Sequence, residues 1–281
     1  ERYPIVTPHW HEEAEFTLIT GGACTYQVDL ESFQAMPGDL VFIPPLALHS
    51  IVILPAGHMH SETYVFHLDF LGASSADICA MRYLMPLAKQ QLIPPFHIAK
   101  EHPVYPDALA LFYEISSCYS AAQPGYELML KSLLLKLLTL LLPYCSKSSE
   151  QPQLQSEHTQ KIKGVLEYIG LHYTENISIE SLASSCYFSE YHFMRFFKKY
   201  VGMSCLDYIK SLRLQKAADL LEQQELSITD AAMTAGFSSL SYFYREFKKR
   251  YGMTPRQFIH SLPERQHTNR TSTPGSPFSP L

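Results

Sequence analysis

Apolar and polar positions change rhythm along the chain. Over residues 1–70, short β-branched and aromatic runs are broken by turn residues, the pattern of strands. Leu40 to Ile43 follows the turn Met36-Pro37-Gly38-Asp39 and stops at Pro44-Pro45. Thr63 to Phe70 alternates and reads as another strand. From Pro106 the spacing turns helical and predicts helices over 106–121 and 125–143. Residues 146–158 are polar and read as a linker. From 159 to 262 every periodic segment has helix spacing. Residues 264–281, rich in Ser, Thr, Pro and Gly, read as a disordered or added tail.

The longest apolar stretch, Leu128 to Leu142, is interrupted by Lys131 and Lys136. It falls short of the roughly 20 residues of a membrane span, so no membrane partner is expected. Its apolar surface suits a core helix or one that meets a second subunit. The chain has 281 residues, 46% hydrophobic and 17% charged. That length predicts two domains with a sizeable core in each, and excludes global disorder and a collagen-like chain. The formal net charge of −5 hides an asymmetry. Residues 1–158 carry 16 acidic and 7 basic side chains, whereas residues 159–263 carry 10 and 13. Only the second half attracts phosphate. Cys24, Cys79, Cys118, Cys145, Cys186 and Cys205 form no CxxC pair, the usage of reduced thiols in a cytoplasmic protein. Pro4, Pro8 and the acidic residues that follow do not read as a secretory leader. The chain opens on Glu1 rather than Met, as a truncated chain would.

A duplication lies in the basic half. Ser189 to Gly202 recurs as Ser239 to Gly252, so that Phe193, Arg195, Phe197 and Lys198-Lys199 match Phe243, Arg245, Phe247 and Lys248-Lys249 at an offset of 50. Upstream, Ile177 to Ala183 matches Leu226 to Ala232 at an offset of 49. Each copy reads as a short helix, a turn and a second helix, the helix-turn-helix layout. Phe193, Phe196, Phe197 and Tyr200 fall at i, i+3, i+4 and i+7, a stripe for the core. Tyr191, Met194, Arg195 and Lys198 lie on the other faces, as do Ser241, Tyr244, Arg245 and Lys248 in the second copy. Gly202 and Gly252 sit where a helix ends in the left-handed conformation. Ser204 and Thr254-Pro255 are start signals. A helix over Leu206 to Glu222 joins the copies and spans roughly 25 Å. The two recognition helices would then lie about one DNA turn, roughly 34 Å, apart. A helical repeat packing on protein is the plainer alternative, and it gives no reason for Arg and Lys at matched places.

Residues 159–262 resemble the DNA-binding domain of AraC/XylS-type transcription regulators. The resemblance is carried by Ala232 to Pro255, with Gly236-Phe237-Ser238, Ser241-Tyr242-Phe243, Arg245, Phe247-Lys248-Lys249 and Gly252-Met253-Thr254-Pro255. Arg213 to Ala217 and Leu220-Leu221 fit the family's linking helix. The resemblance implies base-edge contacts from Tyr191, Met194 and Arg195, and from Leu240, Ser241, Tyr244 and Arg245. Met194 and Leu240 stand where the family often has polar residues. They suit a thymine methyl rather than a bidentate base contact. Lys198, Lys199, Lys248 and Lys249 are expected on phosphates or in solvent.

His9, His11 and Glu15 share odd parity, which on one strand places them on one face. His49 lies beyond the strand that Gly38-Asp39 opens. Three imidazoles and a carboxylate suit a divalent metal such as Zn, Ni, Fe or Mn. The spacing resembles the two motifs of the cupin barrel, which carries the metal ligands onto His9, His11, Glu15 and His49. The cupin's leading Gly and first strands are missing ahead of His9, so a truncated or atypical barrel is expected. Many AraC-type sensor domains resemble cupins and bind a small effector such as a sugar in this pocket. Three readings stand: a polar effector pocket without metal, a metal-bearing pocket, or structural histidines. His58, His60, His67, His97 and His102 show no ligand spacing. Trp10 has the opposite parity to His9 and His11 and reads as packing.

The expected architecture is α+β. A cupin-like β-barrel over 1–100 senses effector and a helical segment over 101–145 mediates dimerisation. A linker over 146–158 leads to an all-α tandem helix-turn-helix over 159–263 and a tail over 264–281. The resemblance implies a cytoplasmic, homodimeric, effector-responsive activator of metabolic genes, with carbohydrate genes as the analogy. Its partners would be double-stranded promoter DNA, a small effector and RNA polymerase. The chain shows no nucleophile elbow, P-loop or dinucleotide fingerprint, and no enzymatic activity is expected. The competing reading is a metal-dependent cupin enzyme with an accessory helical domain.

Overall fold

The computed structural model describes residues 4–53, 59–147, 152–223 and 226–262. The tail expected over 264–281 lies outside the described residues. Among the described residues the chain divides into two compact units, residues 8–152 and residues 153–262 together with residues 4–7.

Strand β1 (Pro4–His9) enters the first unit at Pro8, and β2 (Ala14–Gly21), β3 (Cys24–Val28), β4 (Glu31–Ala35), β5 (Leu40–Ile43), β6 (His49–Ile53) and β7 (His60–Phe66) follow. Short helices α1 (Leu68–Leu71) and α2 (Met85–Ala88) follow, then β8 (Leu92–Ile93) and β9 (His97–Ile98). The long helices α3 (Tyr105–Ala121) and α4 (Tyr126–Leu141) and the strand β10 (Ser146–Lys147) complete it. Two four-stranded sheets form, in the orders β1-β6-β3-β4 and β7-β2-β5-β9, and β10 pairs with β8. The period of two explains how they stack. Ala14, Phe16 and Leu18 of β2, with Leu40 and Phe42 of β5, pack on the buried residues of α3 and α4. The intervening Ile19, Val41 and Ile43 meet Tyr26, Val28 and Cys24 of the other sheet. Glu15 therefore projects to the inter-sheet side. Among the described residues no ladder joins the two sheets, so the cupin-like barrel is open.

The helices at 106–121 and 125–143 are present as α3 and α4. Pro143 ends the second early, in a 3₁₀ turn over Leu142–Tyr144. Leu130, Leu133, Leu134, Leu137, Leu138 and Leu141 bury one face of α4, whereas Leu128 and Met129 are exposed. The strand expected over Thr63 to Phe70 is cut at Phe66. The His67 ring nitrogen accepts the Asp69 N–H at 3.2 Å and starts α1.

Buried Asp39 shows how the β4–β5 turn is held. Its carboxylate accepts the Met36 N–H at 2.9 Å and the His97 Nε2–H at 2.8 Å, while the His97 ring stacks on Phe33.

The second unit is helical: α5 (Pro152–His172), α6 (Ile179–Ser185), α7 (Glu190–Val201), α8 (Cys205–Glu222), α9 (Ile228–Thr234), α10 (Leu240–Tyr251) and α11 (Pro255–Ser261). Of the expected linker 146–158, residues 152–158 are the first turns of α5. Gln, Leu and Glu are good helix formers, so a polar composition there did not mean coil. From α6 to α11, every helix starts on a Ser or Thr whose hydroxyl accepts the backbone N–H three residues on: Ser178, Ser189, Ser204, Ser227, Ser239 and Thr254. α7 and α10 end on Gly202 and Gly252, at φ 79° and 73°.

Candidate nucleic-acid interface and effector site

The two copies of the repeat fold alike. α6 and α7 form the first helix-turn-helix, α9 and α10 the second, and α8 joins them. The change of offset from 49 to 50 falls in the turn, where the second copy holds one more residue. In α7, Phe193, Phe196, Phe197, Tyr200 and Val201 are buried. In α10 the buried side is Phe243, Glu246 and Phe247. Tyr191, Arg195, Lys198 and Lys199 are exposed on α7, with Met194 half-buried beside them. Ser241, Tyr244, Arg245, Lys248 and Lys249 are exposed on α10, with Leu240 half-buried. Each expected base-reading arginine lies against an aromatic ring. Arg195 sits 5.8 Å from the Tyr191 ring centre and Arg245 5.0 Å from that of Tyr242, within reach of a cation–π attraction.

α8 does more than connect. Arg213 donates from Nε to the Tyr173 carbonyl at 2.6 Å and from Nη2 to the Glu175 carbonyl at 2.7 Å. This fixes the loop after α5 to the linking helix. The second turn lies on the same loop. Gly236 has φ +87°, and a Cβ there would come within 2.7 Å of the Thr174 Cα. Gly236→Ala therefore combines a left-handed strain with a backbone clash. We expect it to destabilise the helical unit by about 2 kcal/mol or more, read as a lower thermal midpoint in circular dichroism. An unchanged midpoint would contradict this packing.

In the first unit, His9 ends β1, Glu15 lies in β2 and His49 opens β6. His11 lies on the bend between β1 and β2, so His9, His11 and Glu15 do not share one strand face. The Leu46 N–H binds the His11 carbonyl at 2.8 Å, and the His11 Nδ1 binds the Glu13 carbonyl at 3.0 Å. Those bonds take the segment out of the ladder, yet the four residues still converge. The His9, His11 and His49 rings lie 4.3–5.6 Å apart centre to centre. One ring nitrogen from each falls within 4.8 Å of the others. Glu15 Oε1 is 3.0 Å from His11 Nε2 and 3.8 Å from His49 Nε2.

Proton positions follow from the acceptors. His49 Nδ1 faces the Ala47 carbonyl at 2.9 Å and must donate to it, which leaves Nε2 as a lone pair aimed at the cluster when the ring is neutral. Burial, helped by neighbouring His9, pushes the His49 pKa down to about 4. His11 instead meets a carbonyl through Nδ1 and a carboxylate through Nε2. Both nitrogens donate only when the ring is an imidazolium, and the Glu15 hydrogen bond raises its pKa accordingly. Burial works to raise the Glu15 carboxyl, but the His11 bond and the three imidazoles outweigh it and hold it below its ordinary value. These contacts favour the charged forms of His11 and Glu15 and the neutral form of His49.

The comparisons with known proteins agree with both halves. The AraC-like ligand binding domain family matches residues 2–138, and the helix-turn-helix domain family matches residues 182–261. Probable transcription factor PqrA of Proteus vulgaris is 38% identical over 84 residues, 30% of this chain and 69% of that protein. The chain belongs to the AraC family of transcription regulators. Another AraC-type relative is the uncharacterized HTH-type transcriptional regulator YdeC of Bacillus subtilis. It is 26% identical over 251 residues, 88% of this chain and 84% of that protein. Among solved structures, ToxT from Vibrio cholerae O395 is 14% identical with a TM-score of 0.46, covering 93% of this chain and 94% of that one. As an AraC-family member the chain is a DNA-binding transcription regulator with a ligand-binding domain, so its partners are DNA and a small molecule. Among the described residues no helix is long and apolar enough to cross a membrane.

The sequence did not single out Arg213, Tyr242 or Glu246 as site residues. Glu246 alone left a signal, because it breaks the apolar stripe at the place where the first copy has Phe196.

Proposed function

We propose that this chain is an effector-responsive activator of metabolic genes, acting in the cytoplasm as a homodimer that contacts RNA polymerase. α7 and α10 each enter the major groove of one promoter. Tyr191, Met194 and Arg195, with Leu240, Ser241, Tyr244 and Arg245, read base edges. Lys198, Lys199, Lys248 and Lys249 neutralise phosphates. The observation that carries this reading is the paired geometry: two matched helices, each burying its Phe stripe and exposing its Arg and Lys. The exposed Tyr113, Leu128 and Met129 on α3 and α4 support a self-association surface.

His9, His11, Glu15 and His49 are the proposed effector contacts. The Glu15 carboxylate and the His49 Nε2 lone pair offer acceptors to the hydroxyls of a ligand, for which a sugar is the first candidate. The convergence of three ring nitrogens supports a second reading, a divalent cation held by His9, His11 and His49. The donor set and the lone pair on His49 fit such an ion. Bound there, it would act as a Lewis acid toward effector oxygens. The His11–Glu15 hydrogen bond, which engages the His11 Nε2 that a cation would need, favours the metal-free pocket.

The test is selection of duplex DNA from a random library by the full chain, then titration of the selected operator at rising salt. The expected result is a motif in two parts, with an affinity that falls steeply with salt. Binding without sequence preference would refute the reading. Thermal-shift screens with sugars, with Zn²⁺ and with chelator separate the two pocket readings. A rise in midpoint with a sugar in the presence of chelator supports the metal-free pocket. A rise that requires Zn²⁺ supports the cation.

A further inference from the structure

α10 carries a buried carboxylate where its twin carries a phenyl ring. Glu246 lies on the core side of α10 with a side chain only 9% exposed. The equivalent of Glu246 in α7 is Phe196, which packs with Phe188 and Tyr200. An apolar residue is therefore sufficient to seat this helix type. A buried ion pair is a weak device for stability, so the carboxylate calls for another role.

Its contacts indicate one. Glu246 Oε2 lies 3.5 Å from the Lys210 ammonium of α8, which also reaches Asp207 at 2.9 Å. Glu246 Oε1 accepts the Arg245 Nε–H at 3.2 Å. Arg245 is thus held from two sides, by this carboxylate and by the Tyr242 ring at 5.0 Å, although its side chain is 68% exposed. A guanidinium bound through Nε keeps its terminal Nη1/Nη2 edge for a second acceptor pair. That edge suits the O6 and N7 acceptors of a guanine. Arg195 has a ring beside it but no carboxylate at the matching position.

We propose that Glu246 is a positioning residue for sequence readout. It anchors Arg245 Nε so that the terminal fork of the guanidinium meets a guanine in the half-site read by α10. This rests on the reading of Arg245 as a base contact. It adds that the second half-site is read through an arginine pre-set by a carboxylate and the first through one beside the Tyr191 ring.

The test uses the full chain and its selected operator. Affinity is measured for the operator and for variants with each base pair of the second half-site replaced. Glu246→Gln keeps the shape of the side chain and leaves Asp207 to Lys210. It is expected to reduce discrimination at the Arg245 base pair about tenfold, with affinity for random duplex unchanged or tighter. Lys210→Met should leave that discrimination intact. In an Arg245→Ala background, Glu246→Gln should change it no further. If Glu246→Gln lowers the thermal midpoint by more than a few degrees, Glu246→Met, with an end suited to a buried site, is put through the same cycle. Loss of discrimination in Lys210→Met, or a further loss when Glu246→Gln is added to Arg245→Ala, would overturn the proposal in favour of a purely structural role. So would full discrimination in Glu246→Gln when Arg245→Ala lacks it. Full discrimination in Arg245→Ala itself would instead overturn the base-contact reading, and this proposal with it.

Discussion

Replacing Arg195 and Arg245 together with alanine should remove operator selectivity while leaving the protein folded. Both side chains are exposed and lie against rings of their own helix, and the buried Glu246 carboxylate that loses the Arg245 bond keeps Lys210 beside it. A bidentate arginine–guanine contact is worth about 1–3 kcal/mol of discrimination. The two arginines lie on separate helices joined by α8, which is about 27 Å long by its 18 residues, so their losses should add. The double variant is then expected to lose about 2–6 kcal/mol, or about 30-fold to more than 10⁴-fold in operator affinity. Anisotropy titration of the operator and of random duplex checks this, with random-duplex affinity falling far less. An equal fall for both duplexes would mean that the arginines serve only as phosphate contacts.

Phe247→Ala is expected to have the largest effect on stability. Phe247 is fully buried and touches Phe243, Tyr251 and Phe258, which join α10 to α11. Truncating such a ring costs about 3–5 kcal/mol, a large share of what a domain of this size possesses. The chain holds a single tryptophan, Trp10, in the first unit. Trp10 fluorescence therefore follows that unit, while far-UV circular dichroism is dominated by the helical one. In Phe247→Ala the helical signal should melt at a markedly lower urea concentration, with the Trp10 transition unmoved. Coincident transitions would show that the two units do not unfold separately.

The helical unit was legible in the sequence because its signals are local. The apolar stripe of α7 at i, i+3, i+4 and i+7, the Phe243–Phe247 pair of α10, the Ser and Thr caps and the terminal Gly202 and Gly252 act within one or two turns, and tertiary packing reinforces them. The duplication supplied a second reading of each. The first unit was less legible. Parity placed His9, His11 and Glu15 on one strand, but the Leu46 N–H bond to the His11 carbonyl and the His11 side-chain bond to the Glu13 carbonyl hold the chain out of the ladder there. The four residues converge because β1, β2 and β6 come together, which no local spacing encodes. Residues 152–158 looked like linker because their polar composition suits helix and coil alike. Glu246 and Arg213 were passed over for the opposite reason. Their partners, Lys210 and the carbonyls of Tyr173 and Glu175, lie 36 to 40 residues away. His97 was likewise set aside, although Asp39, 58 positions earlier, fixes its role.

The central claim is that both copies of the repeat engage one DNA duplex. Hydroxyl-radical footprinting of the full chain on its selected operator tests it, with Arg195→Ala and Arg245→Ala run in parallel. The account predicts two protected segments about 10 base pairs apart on one face, each variant losing protection and base preference in one segment only. A single protected segment weakened alike by both variants, or by neither, would contradict it.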